Sequence, residues 1–406
     1  MRSVEEHLSA ILETVGPLPP YEQPLLEAVG LPICEDVVAT IDLPTFDNSA
    51  MDGYACRRDD LDGASAASPV RLPVVGESAA GQSKAYGLSP GQAVKIMTGA
   101  PLPSGADVVV PVEWTDGGRA NVTITQVPAP GQHVRPRGED VRAGDPLLEE
   151  GTVLGPRQVA ILAATGRARV RARPRPRVVL LSTGSELREP GTALEFDSIY
   201  DSNSYALAAA VRQSGAIAYR VASVADDPQE LTDTLSDQLV RADLVVTSGG
   251  VSKGDYDVVK DVLGRVGTVQ FTEVAMQPGK PQGFGTIGED DTPIFTLPGN
   301  PVSAYISFEV FVSPALRRMM GKLPYRRPLV RATCTRGFGS PRGRRQYVRS
   351  RFEVTPRGAV VTPVGGHGSH LVASLSQSDA LVVVPAEATS VDDGDTVDVM
   401  VLDRSF

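Results

Sequence analysis

The sequence predicts a multidomain chain that joins one α/β domain, with a mostly parallel sheet flanked by helices, to β-rich segments. Three observations support this. Between residues 178 and 319, short β-branched apolar runs alternate with helical patterns, as in a parallel sheet covered on both faces. Residues 70–126 and 329–402 carry only short strand-like runs broken by Gly and Pro turns. A chain of 406 residues is also longer than one ordinary core supports, and its 40 Gly and 33 Pro imply many turns.

In chain order, Ser3 and Glu6 form a capping box ahead of Val4, Leu8, Ile11, Leu12 and Val15 at helical spacing, and Pro17, Pro19 and Pro20 stop that helix. A short helix is expected over residues 25–29, closed by Gly30, then a strand over residues 33–43. The tract Phe46-Asp-Asn-Ser-Ala-Met-Asp-Gly-Tyr54 has small polar residues and little periodicity, so it reads as an ordered loop. Strands are expected at 71–76, 93–97, 107–112 and 121–126, and a helix at 158–164. From Arg167 to Arg177 six arginines alternate with small residues or Pro. A charged edge strand running into a polyproline-like linker accounts for them better than a binding patch does.

Beyond the linker, strands at 178–181, 216–224, 244–246, 269–274 and 294–297 alternate with helices at 204–213, 229–240, 258–262 and 301–319. Five more strands, at 329–335, 346–354, 359–361, 380–384 and 396–402, suffice for a small barrel or sandwich.

Composition excludes several classes. A net charge of -10 argues against nucleic-acid binding, which needs a basic face. No apolar run is long enough to span a membrane, and the opening Met1-Arg-Ser-Val-Glu-Glu is too acidic for a signal peptide. Cys34, Cys56 and Cys334 lack metal-ligand spacing and read as thiols in a reducing cytosol, so a cytoplasmic location is expected.

Three buried strands end alike. Val178-Val-Leu-Leu-Ser-Thr-Gly-Ser-Glu186 ends in hydroxyls, a glycine and a carboxylate. Leu244-Val-Val-Thr-Ser-Gly-Gly250 ends in two glycines, and Ile294-Phe-Thr-Leu-Pro-Gly-Asn-Pro301 in a turn opening a helix. In a parallel sheet these loops share one edge and line one crevice. Ser248, Gly249 and Gly250 would offer backbone N–H groups to an anion. Asp255 and Asp257 in the same turn would repel a phosphate unless a cation lay between, which points to a Mg²⁺-bridged phosphate. A tight turn with a solvated helix N-terminus explains the same residues equally well.

The motifs Phe46 to Tyr54, Ile96-Met-Thr-Gly-Ala-Pro101, Arg137-Gly-Glu-Asp140, Ser182-Thr-Gly-Ser-Glu-Leu187, Thr247-Ser-Gly-Gly-Val-Ser252 and Leu297-Pro-Gly-Asn-Pro-Val-Ser303 together resemble the molybdopterin molybdenumtransferase family, which comprises bacterial MoeA and the E domain of gephyrin. The resemblance runs in order over nearly the whole chain. It implies an elongated, four-domain homodimer that inserts molybdenum from molybdate into adenylylated molybdopterin and releases AMP with Mg²⁺. It also suggests the molybdopterin adenylyltransferase and recipient molybdoenzymes as partners. The expected division is a discontinuous linking and dimerisation domain (1–44 and 141–174), an inserted β-rich domain (45–140), an α/β substrate-binding domain (175–324) and a C-terminal barrel (325–406).

The resemblance assigns residues as follows. Asp52, Asp140, Glu186, Asp226 and Asp257 are the catalytic acids, with Glu186, Asp226 and Asp257 also associated with the metal. Asp226 is preferred to Asp227, and Asp257 to Asp255. Thr98, Arg135, Arg137, Ser248, Gly249, Gly250, Lys280, Pro298, Asn300, Pro301, Arg344, Arg349 and Ser369 fall at substrate-contact positions. Asp52 could equally stabilise its own turn, and Asn300 could equally cap a helix. The chain departs from the family pattern at Gln277, where many members carry Lys. His367 and His370 have metal-like spacing but no third ligand, and read as loop residues. An adenylyltransferase-like enzyme and a gephyrin-like scaffold are the alternatives. The extra β segments and the Asp-Asn-Ser-Ala-Met-Asp-Gly-Tyr signature speak against the first, and the lack of a fused domain or long disordered linker against the second.

Overall fold

The computed structural model describes residues 1–81, 86–250 and 258–403, and the chain forms two compact units. One comprises residues 1–22, 30–34 and 171–406, the other residues 23–29 and 35–170. Asp255 and Asp257 lie outside the described residues.

Helix α1 (Val4–Thr14) belongs to the larger unit and starts at the Ser3–Glu6 capping box. The smaller unit is built on a five-stranded sheet of β1 (Gly53–Cys56), β2 (Val70–Ser78), β3 (Ala93–Ile96), β4 (Val108–Pro111) and β5 (Asn121–Ile124), in the order β4-β1-β3-β2-β5. Tyr54, Leu61, Val110 and Ile124 fill its core with no exposed surface. Helix α2 (Pro156–Ala164) follows, with Pro156 at its first position, where the missing N–H costs nothing.

Two expectations fail here. Residues 25–29 form turns, with the N–H groups of Glu27 and Ala28 both donating to the Pro24 carbonyl. Five residues between Pro24 and Gly30 are too few to repay helix nucleation. Of residues 33–43, only Val37–Val38 forms a strand, paired with Pro146–Leu148.

In the larger unit a six-stranded sheet comprises β6 (Arg177–Ser182), β7 (Ile217–Arg220), β8 (Leu244–Ser248), β9 (Gln270–Glu273), β10 (Pro281–Ile287) and β11 (Thr292–Leu297), in the order β7-β6-β8-β11-β10-β9. The pairings among β7, β6, β8 and β11 are parallel, and β10 and β9 are added antiparallel. Helices α3 (Asn203–Gln213), α4 (Pro228–Leu239) and α5 (Val258–Val266) connect these strands. Strand β10 was not expected. Its glycines break the apolar pattern because a side chain at Gly285 would place Cβ 2.5 Å from the Val269 backbone.

From Pro301 the chain stays helical to Met319 as α6 (Pro301–Ser307), a π turn (Phe308–Val312) and α7 (Ser313–Met319). The π turn ends just ahead of Pro314, which has no N–H to continue a regular ladder. The linker arginines hold structure together: Arg173 donates to the Leu18 carbonyl, Arg175 to that of Gly215, and Arg177 grips Asp243 through two N–H groups.

The C-terminal region is a closed five-stranded barrel of β12 (Leu329–Cys334), β13 (Arg345–Thr355), β14 (Gly358–Pro363), β15 (Ala380–Val384) and β16 (Thr396–Val401), ordered β13-β14-β12-β16-β15 and shut by the β13–β15 pairing. Closure leaves no free edge and lets a mostly valine core form.

Candidate active site

The register of β6, β8 and β11 places Ser182 beside Ser248 and Ser248 beside Leu297, so the three strands end level. Their loops open a crevice of about 680 Å³, within the usual size of small-molecule sites. It is lined by Thr183, Glu186, Asp226, Ser248, Gly249 and Gly250, by Asn300 and Pro301 at the start of α6, and by His370 of the C-terminal region. Gly249 is indispensable to this shape. Its φ is +100°, and a Cβ there would lie 2.9 Å from the Thr183 carbonyl oxygen.

Two exposed carboxylates reach the crevice, and a third, Asp201, is buried in its wall. Glu186 is exposed and folds back over Gly184, where a Cβ would come within 2.6 Å of its carboxylate. Asp226 accepts the Ser185 N–H at 3.2 Å and the Ser185 hydroxyl at 3.3 Å, so its side chain is tied next to Glu186 in the chain. Asp227 is used otherwise: it caps α4 by accepting the N–H groups of Gln229 and Glu230. Among the described residues no group of three His, Cys, Asp or Glu side chains could hold a metal. Two carboxylates completed by substrate oxygens are nevertheless the donor set that Mg²⁺ takes at phosphate sites, so Glu186 and Asp226 fit that ion.

Other expected contacts fall elsewhere. Lys280 pairs with Glu273 at 3.0 Å and does not line the crevice. Pro298 is buried beneath the turn, whereas Asn300 and Pro301 line the crevice, and the Asn300 side chain makes no cap to α6. Arg344 stands half-buried just before β13 and is not part of the crevice wall.

Arg349 is 4% exposed and works from behind. Its guanidinium donates to the carbonyls of Gly366, Gly368 and Leu371, and burial lowers its pKa. It thereby fixes the Gly-Ser-His loop, whose Ser369 carbonyl accepts the Val302 N–H at 3.1 Å on α6 and whose His370 reaches the crevice. Gln277 lies on another side of this loop, in a cavity of about 10 Å³ shared with Gln346, Arg349 and His367. That volume holds about one water.

In the smaller unit, Asp52 accepts both the N–H and the hydroxyl of Thr98. These bonds, the backbone one foremost, hold its carboxyl below the ordinary carboxylate value. Arg135 sits opposite Asn48 in a short ladder, and Arg137 pairs with Asp42 at 2.5 Å. The Asp140 N–H donates to the Leu43 carbonyl, and its side chain is exposed.

Sequence reasoning passed over Asp201 and Asn203, both of which line the crevice. The signal was a polar tract, Asp201-Ser-Asn-Ser204, opening a helix whose N-cap position is filled by Ser202 without a side-chain cap bond.

Comparison with known proteins accounts for this arrangement. Residues 2–166 match the profile described as "MoeA N-terminal region (domain I and II)", residues 179–318 a "Probable molybdopterin binding domain", and residues 331–402 the "MoeA C-terminal region (domain IV)". A Mycobacterium tuberculosis protein named molybdopterin molybdenumtransferase 2 is 46% identical over 397 residues, covering 96% of this chain and 97% of that one. The Haemophilus influenzae molybdopterin molybdenumtransferase is 35% identical, covering 98% of both chains. A crystal structure of a molybdopterin biosynthesis MoeA protein from Pyrococcus horikoshii superposes with a TM-score of 0.82 at 32% identity, covering 99% of both chains. Fold and matches together define a multidomain enzyme of molybdenum cofactor biosynthesis. The chain belongs to the molybdopterin molybdenumtransferase (MoeA) family. No helix among its described residues is long and apolar enough to cross a membrane.

Proposed function

We propose that this chain inserts molybdenum, supplied as molybdate, into adenylylated molybdopterin with Mg²⁺-dependent release of AMP. The observation that carries the proposal is the pairing, in one crevice, of a glycine-ended strand with the two carboxylates Glu186 and Asp226. The glycine turn brings backbone without side chains to the crevice, where a phosphate can approach closely, although the Gly249 N–H is taken by the Leu297 carbonyl. Asn300 and Pro301 bring a second helix start to the same wall. Glu186 and Asp226 would hold Mg²⁺, and Asp257, outside the described residues, is the third acid expected there. Bound Mg²⁺ would neutralise charge on the phosphoanhydride. Cleavage adds water across the P–O–P bridge, and AMP departs with a phosphate oxygen. The chain itself orients the phosphates and presents the two carboxylates to the crevice; no side-chain nucleophile is required.

In this reading Asp52, Thr98, Arg135, Arg137 and Asp140 join the reaction on the strength of their motifs. The four-domain division, a homodimer, a cytoplasmic location and contact with the adenylyltransferase and recipient molybdoenzymes belong to the same proposal.

The test is a discontinuous assay of AMP release and of molybdenum bound to pterin, using adenylylated molybdopterin, molybdate and Mg²⁺. The wild-type chain should release AMP only with Mg²⁺. Glu186→Gln and Asp257→Asn should each reduce that release at least a hundredfold at unchanged melting temperature. ATP consumption without AMP release would instead identify an adenylyltransferase, and near-normal turnover in both variants would remove these acids from the mechanism.

A further inference from the structure

The crevice wall contains a hydrogen-bond relay whose direction can be deduced. Asp201 is 1% exposed at the start of α3. Its carboxylate accepts the Ser204 N–H at 3.0 Å, the Ser204 hydroxyl at 2.5 Å and the Ser182 hydroxyl at 3.1 Å. The Ser182 oxygen in turn lies 2.9 Å from that of Ser248, with both residues buried at the ends of neighbouring strands.

A hydroxyl has one proton to donate, and a carboxylate only accepts. Ser182 therefore gives its proton to Asp201, and the Ser182–Ser248 bond must be donated by Ser248. The Ser248 proton is directed away from the crevice, and only lone pairs of its oxygen remain for a ligand. A serine beside a glycine turn would ordinarily be read as a phosphate donor; this one is an acceptor.

A second acceptor stands in the same wall. Asn203 donates through Nδ2 to the Gly299 carbonyl at 2.7 Å, which fixes the orientation of its amide. Its Oδ1 is buried and has no hydrogen-bond partner. A buried acceptor without a partner is costly, and a donor arriving from the crevice removes that cost. The two residues are neighbours through the turns they hold, since a Cβ on Gly299 would lie 3.7 Å from Gly249 Cα.

We propose that Ser248 and Asn203 form an acceptor subsite that recognises a polar hydrogen on the organic part of the substrate, a ribose hydroxyl or a heterocycle N–H, and not an oxyanion. The proposal rests on the reading of this crevice as the site of a nucleotide-linked pterin. It makes Ser182, which does not line the crevice, a positioning residue that sets the polarity of Ser248.

The test is calorimetric titration of the full chain and its Ser248→Ala and Ser182→Ala variants with AMP, 2′,3′-dideoxy-AMP, pterin and inorganic pyrophosphate. Both variants should melt as cooperatively as the wild type. Ser248→Ala should weaken a donor-bearing probe about fivefold, the value of one neutral hydrogen bond, and leave pyrophosphate unchanged. Loss for AMP but not for dideoxy-AMP assigns the subsite to the ribose; loss for pterin alone assigns it to the heterocycle. Ser182→Ala frees the Ser248 proton to turn outward, so it should weaken the same probe and tighten pyrophosphate. Equal weakening of pyrophosphate in Ser248→Ala would overturn the proposal. So would unchanged affinities in both folded variants, or a wild-type chain that binds neither AMP nor pterin. A wild-type chain that binds the probes as described but releases no AMP from adenylylated molybdopterin would overturn the proposed function and leave the subsite standing.

Discussion

The carboxylate of Asp52 accepts two hydrogen bonds from one residue, the Thr98 N–H at 2.7 Å and the Thr98 hydroxyl at 2.8 Å, both through Oδ1. Two positions separately marked as acid and substrate contact are thus one structural unit joining two loops. Asparagine can keep its Oδ1 in the same place, whereas alanine cannot. Asp52→Asn should therefore melt close to the wild type and Asp52→Ala several degrees lower. Because the pairing lowers the Asp52 pKa, its contribution is present above the ordinary carboxylate pKa and is lost as pH falls through the folded value. Turnover separates the roles. A folded Asp52→Asn enzyme that loses AMP release needs the charge for chemistry, and one with full activity uses Asp52 only as a loop tie.

Arg349 predicts a different signature. One lysine ammonium cannot span the carbonyls of Gly366, Gly368 and Leu371 that the planar guanidinium joins. Arg349→Lys should destabilise the protein by about 2 kcal/mol and speed proteolysis within residues 366–371. Since His370 of that loop lines the crevice, KM for the pterin substrate should rise more than kcat falls. Unchanged proteolysis with a lowered kcat would mean that Arg349 acts on the substrate directly.

Gln277 shares its small cavity with the buried Arg349, while Lys280 is paired with Glu273. In Gln277→Lys the new cation would share that cavity with Arg349 and should lower the melting temperature in the absence of an oxyanion. Added molybdate should then stabilise the variant more than the wild type, because two cations favour a dianion. Scanning fluorimetry with and without molybdate measures the difference. Equal shifts in both proteins would show that no oxyanion binds beside Gln277.

The fold was legible where pattern and burial coincide. The strands at 178–181, 244–246 and 294–297 are buried on both faces, so each appears as a short apolar run, interrupted only by Thr296. Strand β10 was hidden because close backbone approach demanded glycine at Gly283 and Gly285, which erases the apolar pattern. The turn over residues 25–29 shows the converse: a fragment too short to propagate can look helical by composition alone. At the site, strand-end motifs pointed to Glu186 and the Ser248 turn and the family resemblance to Asp226, all of which line the crevice. Asp201 and Ser182 were missed because they act through hydroxyl partners from distant segments, and no sequence spacing records such a relay. Arg349 looked like a ligand contact because an arginine's targets, here carbonyls, leave no mark in its own motif.

The π turn places Glu309 at 4% exposure against Arg327, 3.1 Å away, and burial raises the Glu309 carboxyl despite the opposing guanidinium. Arg327 also donates to the Val401 carbonyl, linking the helical segment to barrel strand β16. Removing one member of a buried ion pair leaves the other charge poorly compensated. Glu309→Ala should thus cost about 3 kcal/mol. A double variant, Glu309→Leu with Arg327→Met, should recover much of that loss. A double variant no more stable than Glu309→Ala would show that packing rather than charge dominates.

His7 gives a pH-dependent prediction. It is buried on α1 with its ring edge-on to Phe311 at 4.9 Å, and its Nδ1 has no hydrogen-bond partner. Burial disfavours the imidazolium and, with a smaller contribution from Arg2, lowers the pKa from 6.5 to about 4. The folded pKa is depressed, so the folded protein resists a proton that the unfolded chain accepts. Stability linked to neutral His7 is complete above pH 6.5 and is lost progressively as pH falls toward 4. The full loss across that window is on the order of 3 kcal/mol. His7→Phe retains a ring against Phe311 and cannot titrate. Denaturant titrations of both proteins from pH 7 to pH 4 should show wild-type stability falling more steeply, with the gap opening below pH 6.5. Parallel curves over that range would mean that His7 takes up its proton as readily in the folded protein as in the unfolded chain.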